Sequence, residues 1–229
     1  WQQRLTRSAA DRLSTHPKPL RDPKALTCWN ALLVIGFAEA HRSLPEKGYD
    51  QAATSLLDTL LNTVWQHGAI AHQYLKDTAE GDGFLDDYSS FGQALLEGFL
   101  LTGNSMYLER AHELAERIER VFPFEGDFRV YTPAVDAAWQ KQLEIEDNVI
   151  PSANSMWAHF FQYLGVIADR NDWKEQAQLA LRAVHSKVFR YGPNFSNWLE
   201  LGLMRAYGAK ELVITGSRAK AAAEELQRA

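Results

Sequence analysis

The sequence predicts an all-α fold built from stacked helical hairpins, an α/α toroid or an arc of one, with short β-strands in its connecting loops. Strongly apolar helices alternate with amphipathic ones, the joins within each pair are short, and the alternation recurs three times. A helix that is apolar all round has to be buried on every side, whereas one with a single apolar stripe covers a neighbour and turns its other face to water. The alternation therefore describes an inner and an outer layer. Such hairpins stack side by side because a lone pair leaves its inner member uncovered.

Along the chain, "CWNALLVIGFAEA" (28–40) is the first inner helix, apolar nearly all round. Tyr49 to Trp65 is its outer partner, with a stripe through Ala52, Ala53, Leu56, Leu57, Leu60, Leu61 and Val64 at helical spacing. "GAIAHQYL" (68–75) reads as a short strand. "YSSFGQALLEGFLL" (88–101) is the second inner helix, followed after "TGN" by an outer helix over 105–122 striped with Leu108, Ala111, Leu114, Ala115, Ile118 and Val121. The connection from Phe122 to Pro151 holds two stretches of alternating polarity, "DFRVYTP" and "KQLEIED", which predict a hairpin. "SMWAHFFQYLGVIA" (155–168) is the third inner helix. Its outer partner spans 172–188, where Asp172 followed by Glu175 has capping-box spacing. A fourth inner helix starts near Phe195, and the chain stops within the helical pattern "AKAAAEELQRA".

A formal net charge of -5, with Lys and Arg scattered, argues against a nucleic-acid partner held by phosphate contacts. Cys28 is the single cysteine, which excludes an intrachain disulfide and a cysteine-cluster metal site and reads as a small buried residue. The N-terminal "WQQRLTRSAADRLSTH" lacks the apolar centre of a signal peptide, and no run approaches the ~18 apolar residues of a membrane span. A cytoplasmic protein without membrane, metal or cofactor is the expectation. Residue 1 is Trp, so residues 1–229 are expected to be one toroid domain cut from a longer protein.

Alternation makes the inner helices run the same way and gathers their N-terminal heads at one face. Three heads carry compact polar sets: Thr27, Trp29 and Asn30; Asp86, Asp87 and Tyr88; Ser152, Asn154 and Ser155. Adjacent helical residues diverge by about 100°, so Asp86 and Asp87 cannot aim at one atom. One is expected to cap the helix and the other to face a pocket. A glycosidase needs two carboxyls ~5 Å apart for retention and more for inversion, so a second carboxyl is sought in Asp147, Glu146 or Asp22. Asp86 and Asp87 are the catalytic candidates; Trp29, Asn30, Tyr88, Ser152, Asn154 and Ser155 are the substrate-binding ones. Caps and core aromatics are the plainer roles for the same residue types.

The stretches "DPKALTCWNALL", "GFLDDY", "IPSANS" and "KELVITG" resemble the C-terminal helical region of the thioredoxin-domain proteins related to spermatogenesis-associated protein 20, over roughly residues 15 to 216. The resemblance implies a partial (α/α)6 barrel, similar to six-hairpin glycosidases and N-acylglucosamine 2-epimerases. It also implies a partner in the thioredoxin-like domain of the same polypeptide. Asp22, Lys24, Thr27, Trp29, Asn30, Asp86, Asp87, Tyr88, Pro151, Ser152, Asn154 and Ser155 match the family motifs; Pro23, Ala31, Ala153 and the acidic "EIED" depart from them. The expected function is carbohydrate-active or carbohydrate-binding, with a sugar or other polar small molecule as ligand. An interaction scaffold in a redox-related protein is the alternative. Epimerase chemistry needs a base near the sugar carbon, for which His72 and His159 are the candidates.

Overall fold

The computed structural model describes residues 22–76, 78–133, 142–208, 212 and 214–226. Three hairpins and a further inner helix follow one another as the alternation predicts. Helices α1 (Thr27–Ser43) and α2 (Tyr49–Thr63) form the first pair, α3 (Leu85–Thr102) and α4 (Ser105–Val121) the second, α5 (Ala153–Ile167) and α6 (Asn171–Arg190) the third. Helix α7 (Ser196–Tyr207) begins a fourth, and α8 (Ala219–Leu226) lies near the end. Helices α1, α3, α5 and α7 pack in succession as the inner layer, and each outer helix lies against the inner helix before it. The core runs between the layers, from Leu57 and Leu60 through Phe91 and Leu95 to Trp157, Phe161 and Trp173. No helix among the described residues is long and apolar enough to cross a membrane.

Close packing of the inner layer depends on small residues. A Cβ on Gly92 of α3 would lie 2.6 Å from the Phe160 ring of α5, so the glycine lets the two helices approach.

The connections carry the expected β-structure. Strand β3 (Ala69–Leu75) pairs antiparallel with β1 (Ala25–Leu26), β2 (Trp65–Gln66) and β4 (Thr78–Asp82), and covers the heads of α1 and α3. The Thr27 hydroxyl donates to the Ala71 carbonyl (2.6 Å), and the Gly83 N–H to the Ile70 carbonyl (2.8 Å). A Cβ on Gly83 would sit 2.6 Å from that carbonyl oxygen, which accounts for the glycine opening "GFLDDY".

The long connection differs from the expected hairpin. The strands that pair there are β5 (Phe124–Glu125) and β6 (Phe128–Arg129), while 142–147 forms no strand. Its carbonyls are taken elsewhere: Gln142 accepts from Tyr131 N–H, Glu144 from Asn154, and Ile145 from the Ser152 hydroxyl and the Trp198 indole. The Tyr131–Gln142 bond links the two stretches, but the heads of α5 and α7 have taken the Glu144 and Ile145 carbonyls that a sheet partner would use. Helix α6 also starts one residue early, and Asp172 pairs with the Arg170 guanidinium instead of capping. Lys141, the stretch "WQQRLTRSAADRLSTH" and part of "KELVITG" lie outside the described residues.

Candidate functional site

The four inner-helix heads are wired together at one face. Asp87 joins the first two. It sits in the first turn of α3, fully buried, and its carboxylate accepts the Phe84 N–H (3.0 Å), the Cys28 N–H at the head of α1 (2.9 Å) and Nδ1 of His72 on β3 (2.8 Å). Burial pushes the Asp87 carboxyl above its ordinary range, against three N–H donors that favour the anion. The capping carboxylate is thus Asp87, acting from the first turn, while Phe84 occupies the N-cap position.

Asp86 is half-buried and borders the Cys28 thiol and the Tyr131 hydroxyl. Its carboxyl is pushed up to about 7, first by burial and then by the neighbouring charges of Asp87 and Glu144, while a hydrogen bond from the Tyr131 hydroxyl pulls in the opposite direction. Tyr131 is held rigidly, its N–H on the Gln142 carbonyl and its carbonyl on the Leu85 N–H at the head of α3. Its ring stacks on Phe84 (5.1 Å between centroids, 8° between planes), and His72 meets the same Phe84 ring edge-on at 4.9 Å. A protonatable carboxyl, an exposed carboxylate at Glu144, an imidazole and a two-ring aromatic wall therefore share one rim.

The third and fourth heads are knit more tightly. Asn154 is fully buried; its Oδ1 accepts the Arg129 N–H (2.8 Å), and its amide donates to the carbonyls of Arg129 and Glu144 (3.0 Å each). Ser152 is the N-cap of α5, accepting the Ser155 N–H. The Ser155 hydroxyl donates to buried Asp147 (2.8 Å) and accepts from the Asn197 amide of α7. Asp147 also receives the N–H groups of Ser152 and Asn197. The Tyr88 hydroxyl is buried and accepts the Ile70 N–H (3.0 Å). The Asn30 amide donates to the Leu26 carbonyl (2.8 Å), and the Trp29 side chain is 63% exposed.

Among the carboxyls sought as a partner for the aspartate pair, Asp147 is spent on helix heads, Glu146 is exposed, and Asp22 is exposed and paired with Lys24. Glu144 is the residue that reaches Asp86 electrostatically. Cys28 is buried, and its thiol is pushed up by burial and by Asp86, which suits a packing role rather than a nucleophilic one.

Below the heads, a groove of about 510 Å³ runs along the inner faces of α1, α3, α5 and α7. Its walls include Leu32, Leu96 and Met156, and Glu39, Arg42 and Glu97 form an ion-paired group within it. His159 also lines it, buried, with Nε2 on the Asn197 carbonyl (2.7 Å) and its basicity lowered by desolvation.

No family model matches the chain. Spermatogenesis-associated protein 20 of Homo sapiens is 24% identical over 226 residues, covering 88% of this chain and 27% of that protein. The mouse protein is 26% identical, covering 87% and 27%. These chains are its homologues. An uncharacterized protein of Caenorhabditis elegans is 23% identical, covering 75% of this chain and 25% of its own length. The chain thus spans about a quarter of the relatives it matches.

Among solved structures, a family GH76 α-mannanase from Bacteroides thetaiotaomicron is similar with a TM-score of 0.60 at 13% identity, covering 76% of this chain and 48% of that one. A D-mannose isomerase follows with 0.56 at 18% identity, covering 72% and 44%, and a cellobiose 2-epimerase from Bacillus thermoamylovorans with 0.54 at 12%, covering 73% and 46%. Likeness at these identities establishes the fold, the α/α toroid of six-hairpin glycosidase-like enzymes.

Tyr131, Glu144 and Phe84 were missing from the residues singled out by sequence. Their signal is faint because two of them come from the irregular connection, whose backbone is arranged by Asn154 and the helix heads. Composition alone marks "EIED" as unusual; it does not place Glu144 beside Asp86.

Proposed function

We propose that the chain binds a saccharide at the helix-head rim and acts on it through Asp86. The observation that carries this reading is the half-buried Asp86 carboxyl, held near neutrality between Asp87 and Glu144 and bordered by the stacked Phe84–Tyr131 wall. A carboxyl that keeps its proton near pH 7 is suited to donating it to a sugar oxygen. Aromatic faces suit the apolar faces of pyranose rings. Support by analogy comes from the similar folds of an α-mannanase, a D-mannose isomerase and a cellobiose 2-epimerase.

The test is a thermal-shift panel with D-mannose, a mannobiose and cellobiose, run on the purified chain and on Asp86→Asn. A saccharide at a hundred times its dissociation constant adds roughly 2.7 kcal/mol, and a domain of this size gains about 5–10 °C in melting temperature. At pH 7 Asp86→Asn should melt at or above the wild type without sugar, because its neutral amide escapes the cost of ionising a buried carboxyl, and it should lose the sugar-induced gain. No shift with any saccharide would sink the proposal.

One observation favours a scaffold instead. The polar atoms of Tyr88, Ser152, Asn154 and Ser155 are engaged in the fold's own hydrogen bonds. On that reading the heads act as caps, and the thioredoxin-like domain expected in the longer polypeptide is the partner. It predicts a silent panel.

A further inference from the structure

We propose that His72 is the proton-accepting residue of the rim, with Asp87 as the positioning residue behind it, transferring a proton at the carbon next to a sugar carbonyl. This rests on the saccharide reading above and assigns that site a reaction.

His72 projects from β3 onto α3, two elements that approach closely at Gly83. Its Nδ1 lies 2.8 Å from Asp87 Oδ2, and Asp87 cannot turn away because the Phe84 and Cys28 N–H groups hold the same carboxylate. The buried carboxylate therefore keeps the ring hydrogen on Nδ1 and leaves the lone pair of the neutral imidazole on Nε2. The His72 side chain is 28% exposed, whereas Asp87 is fully buried, so the pair has one buried end and one end open to solvent. The Phe84 ring fixes the imidazole edge-on and links it to Tyr131, the donor to Asp86.

The charged groups around the imidazole are few. Asp87 and Asp86 of α3 favour its protonated form, and Lys24, ahead of β1, opposes them. Across the ladder β4 places Gly81 beside His72. A base strengthened by a fixed carboxylate and a carboxyl that holds its proton near pH 7 are matched for transfer in opposite directions.

In the step itself, Nε2 takes the proton from the carbon adjacent to the carbonyl of an open-chain sugar. The C–H electron pair becomes the C=C bond of an enediol, and the carbonyl oxygen takes the proton of Asp86. Return of a proton from Nε2 to that carbon, with the oxygen giving its proton back to Asp86, completes the cycle. No oxidant or reductant is needed.

The experiment incubates the purified chain with D-mannose and with cellobiose in heavy water and follows the C2 hydrogen of each by proton NMR, between pH 5 and 9. The expected result is loss of the C2 signal with wild-type protein and at least 100-fold slower loss with His72→Gln, which replaces a part-exposed side chain and should stay folded. In Asp87→Asn the acidic limb of the pH–rate profile should move to lower pH, because loss of the carboxylate lowers the basicity of the imidazole; a purely structural Asp87 would leave the limb in place. A sugar that raises the melting temperature without C2 exchange, or with equal exchange in His72→Gln, overturns the proposal and leaves saccharide binding standing. A chain that no saccharide stabilises and that exchanges no C2 hydrogen brings down both.

Discussion

Replacing Asp87 with alanine should cost about 4 kcal/mol of stability, well above the ~1 kcal/mol of an ordinary cap. The carboxylate is fully buried and receives N–H groups from three separate segments: the N-cap of α3, the head of α1 and the β3 imidazole. Alanine removes all three acceptor contacts. The His72 ring has access to water, but the buried Cys28 N–H lies in the first turn of α1, where the helix itself offers it no acceptor. Unpaired buried donors cost roughly 1–3 kcal/mol each, and a cavity of two oxygens adds to that. Asp87→Asn keeps one acceptor oxygen but turns an amide N–H₂ toward N–H donors, and about 2 kcal/mol is expected for it. Urea unfolding of the three proteins checks both values. A loss of only ~1 kcal/mol for Asp87→Ala would mean that the helix heads are not joined through this residue.

The second large effect belongs to Asn154. Its side chain is the clamp between α5 and the connection, making one bond to the Arg129 N–H and two to the carbonyls of Arg129 and Glu144. Asn154→Ala takes the side-chain partner from the Arg129 N–H and carbonyl, while the Glu144 carbonyl keeps the backbone N–H of residue 154, and should destabilise by about 3 kcal/mol. The consequence for function is as important as the stability. Tyr131 lies two residues beyond Arg129, and Glu144 is held by the same clamp, so both neighbours of Asp86 are positioned by Asn154. Any saccharide-induced thermal shift should therefore weaken at least tenfold in affinity at a temperature where the variant is still folded. Asn154→Asp retains the acceptor for Arg129 N–H but brings a charge against two carbonyls, and it should not rescue binding.

The toroid was readable in the sequence because each layer leaves its own mark. Ala31, Val34 and Ala38 of α1 are buried, and so are Ala53, Leu57 and Leu60 of the α2 stripe that covers them, but α1 is not buried on every side as its composition predicts: Trp29 and Leu33 are exposed, because α2 and α3 cover only part of its surface. That relation between period and burial holds locally, needing no knowledge of distant contacts. The hairpin in the connection was misplaced for the opposite reason. The fate of residues 142–147 depends on helix heads at Asn154 and Trp198, several turns of chain away, and alternation in a short run is blind to them.

The polar helix heads were legible as a face, since four helices starting together is a consequence of alternation. The division of labour at that face was only half legible. That Asp86 and Asp87 cannot aim at one atom follows from helix geometry. Which one is buried depends on where β3 crosses α3, and thus on Gly83 and the Ile70 carbonyl. Tyr131 and Glu144 were invisible for want of any local pattern. They reach Asp86 through the irregular backbone that Asn154 and Leu85 tie down.

The state of the Asp86 carboxyl decides what the rim can do chemically. A carboxyl with an ordinary pKa near 3.8 raised to about 7 keeps its proton through the range where an exposed aspartate has lost it. Its contribution to stability is then full below pH ~4 and is lost as pH rises through about 7, because the unfolded chain releases the proton first. The direct measurement is carbon-13 NMR of the aspartate side-chain carboxyls across pH 3 to 9, with Asp86→Asn to assign the resonance. Asp86 and Asp87 titrate as an interacting pair, and the expected result is a step near pH 7 that disappears in Asp86→Asn. A wild-type protein in which every aspartate titrates below pH 5 would contradict it.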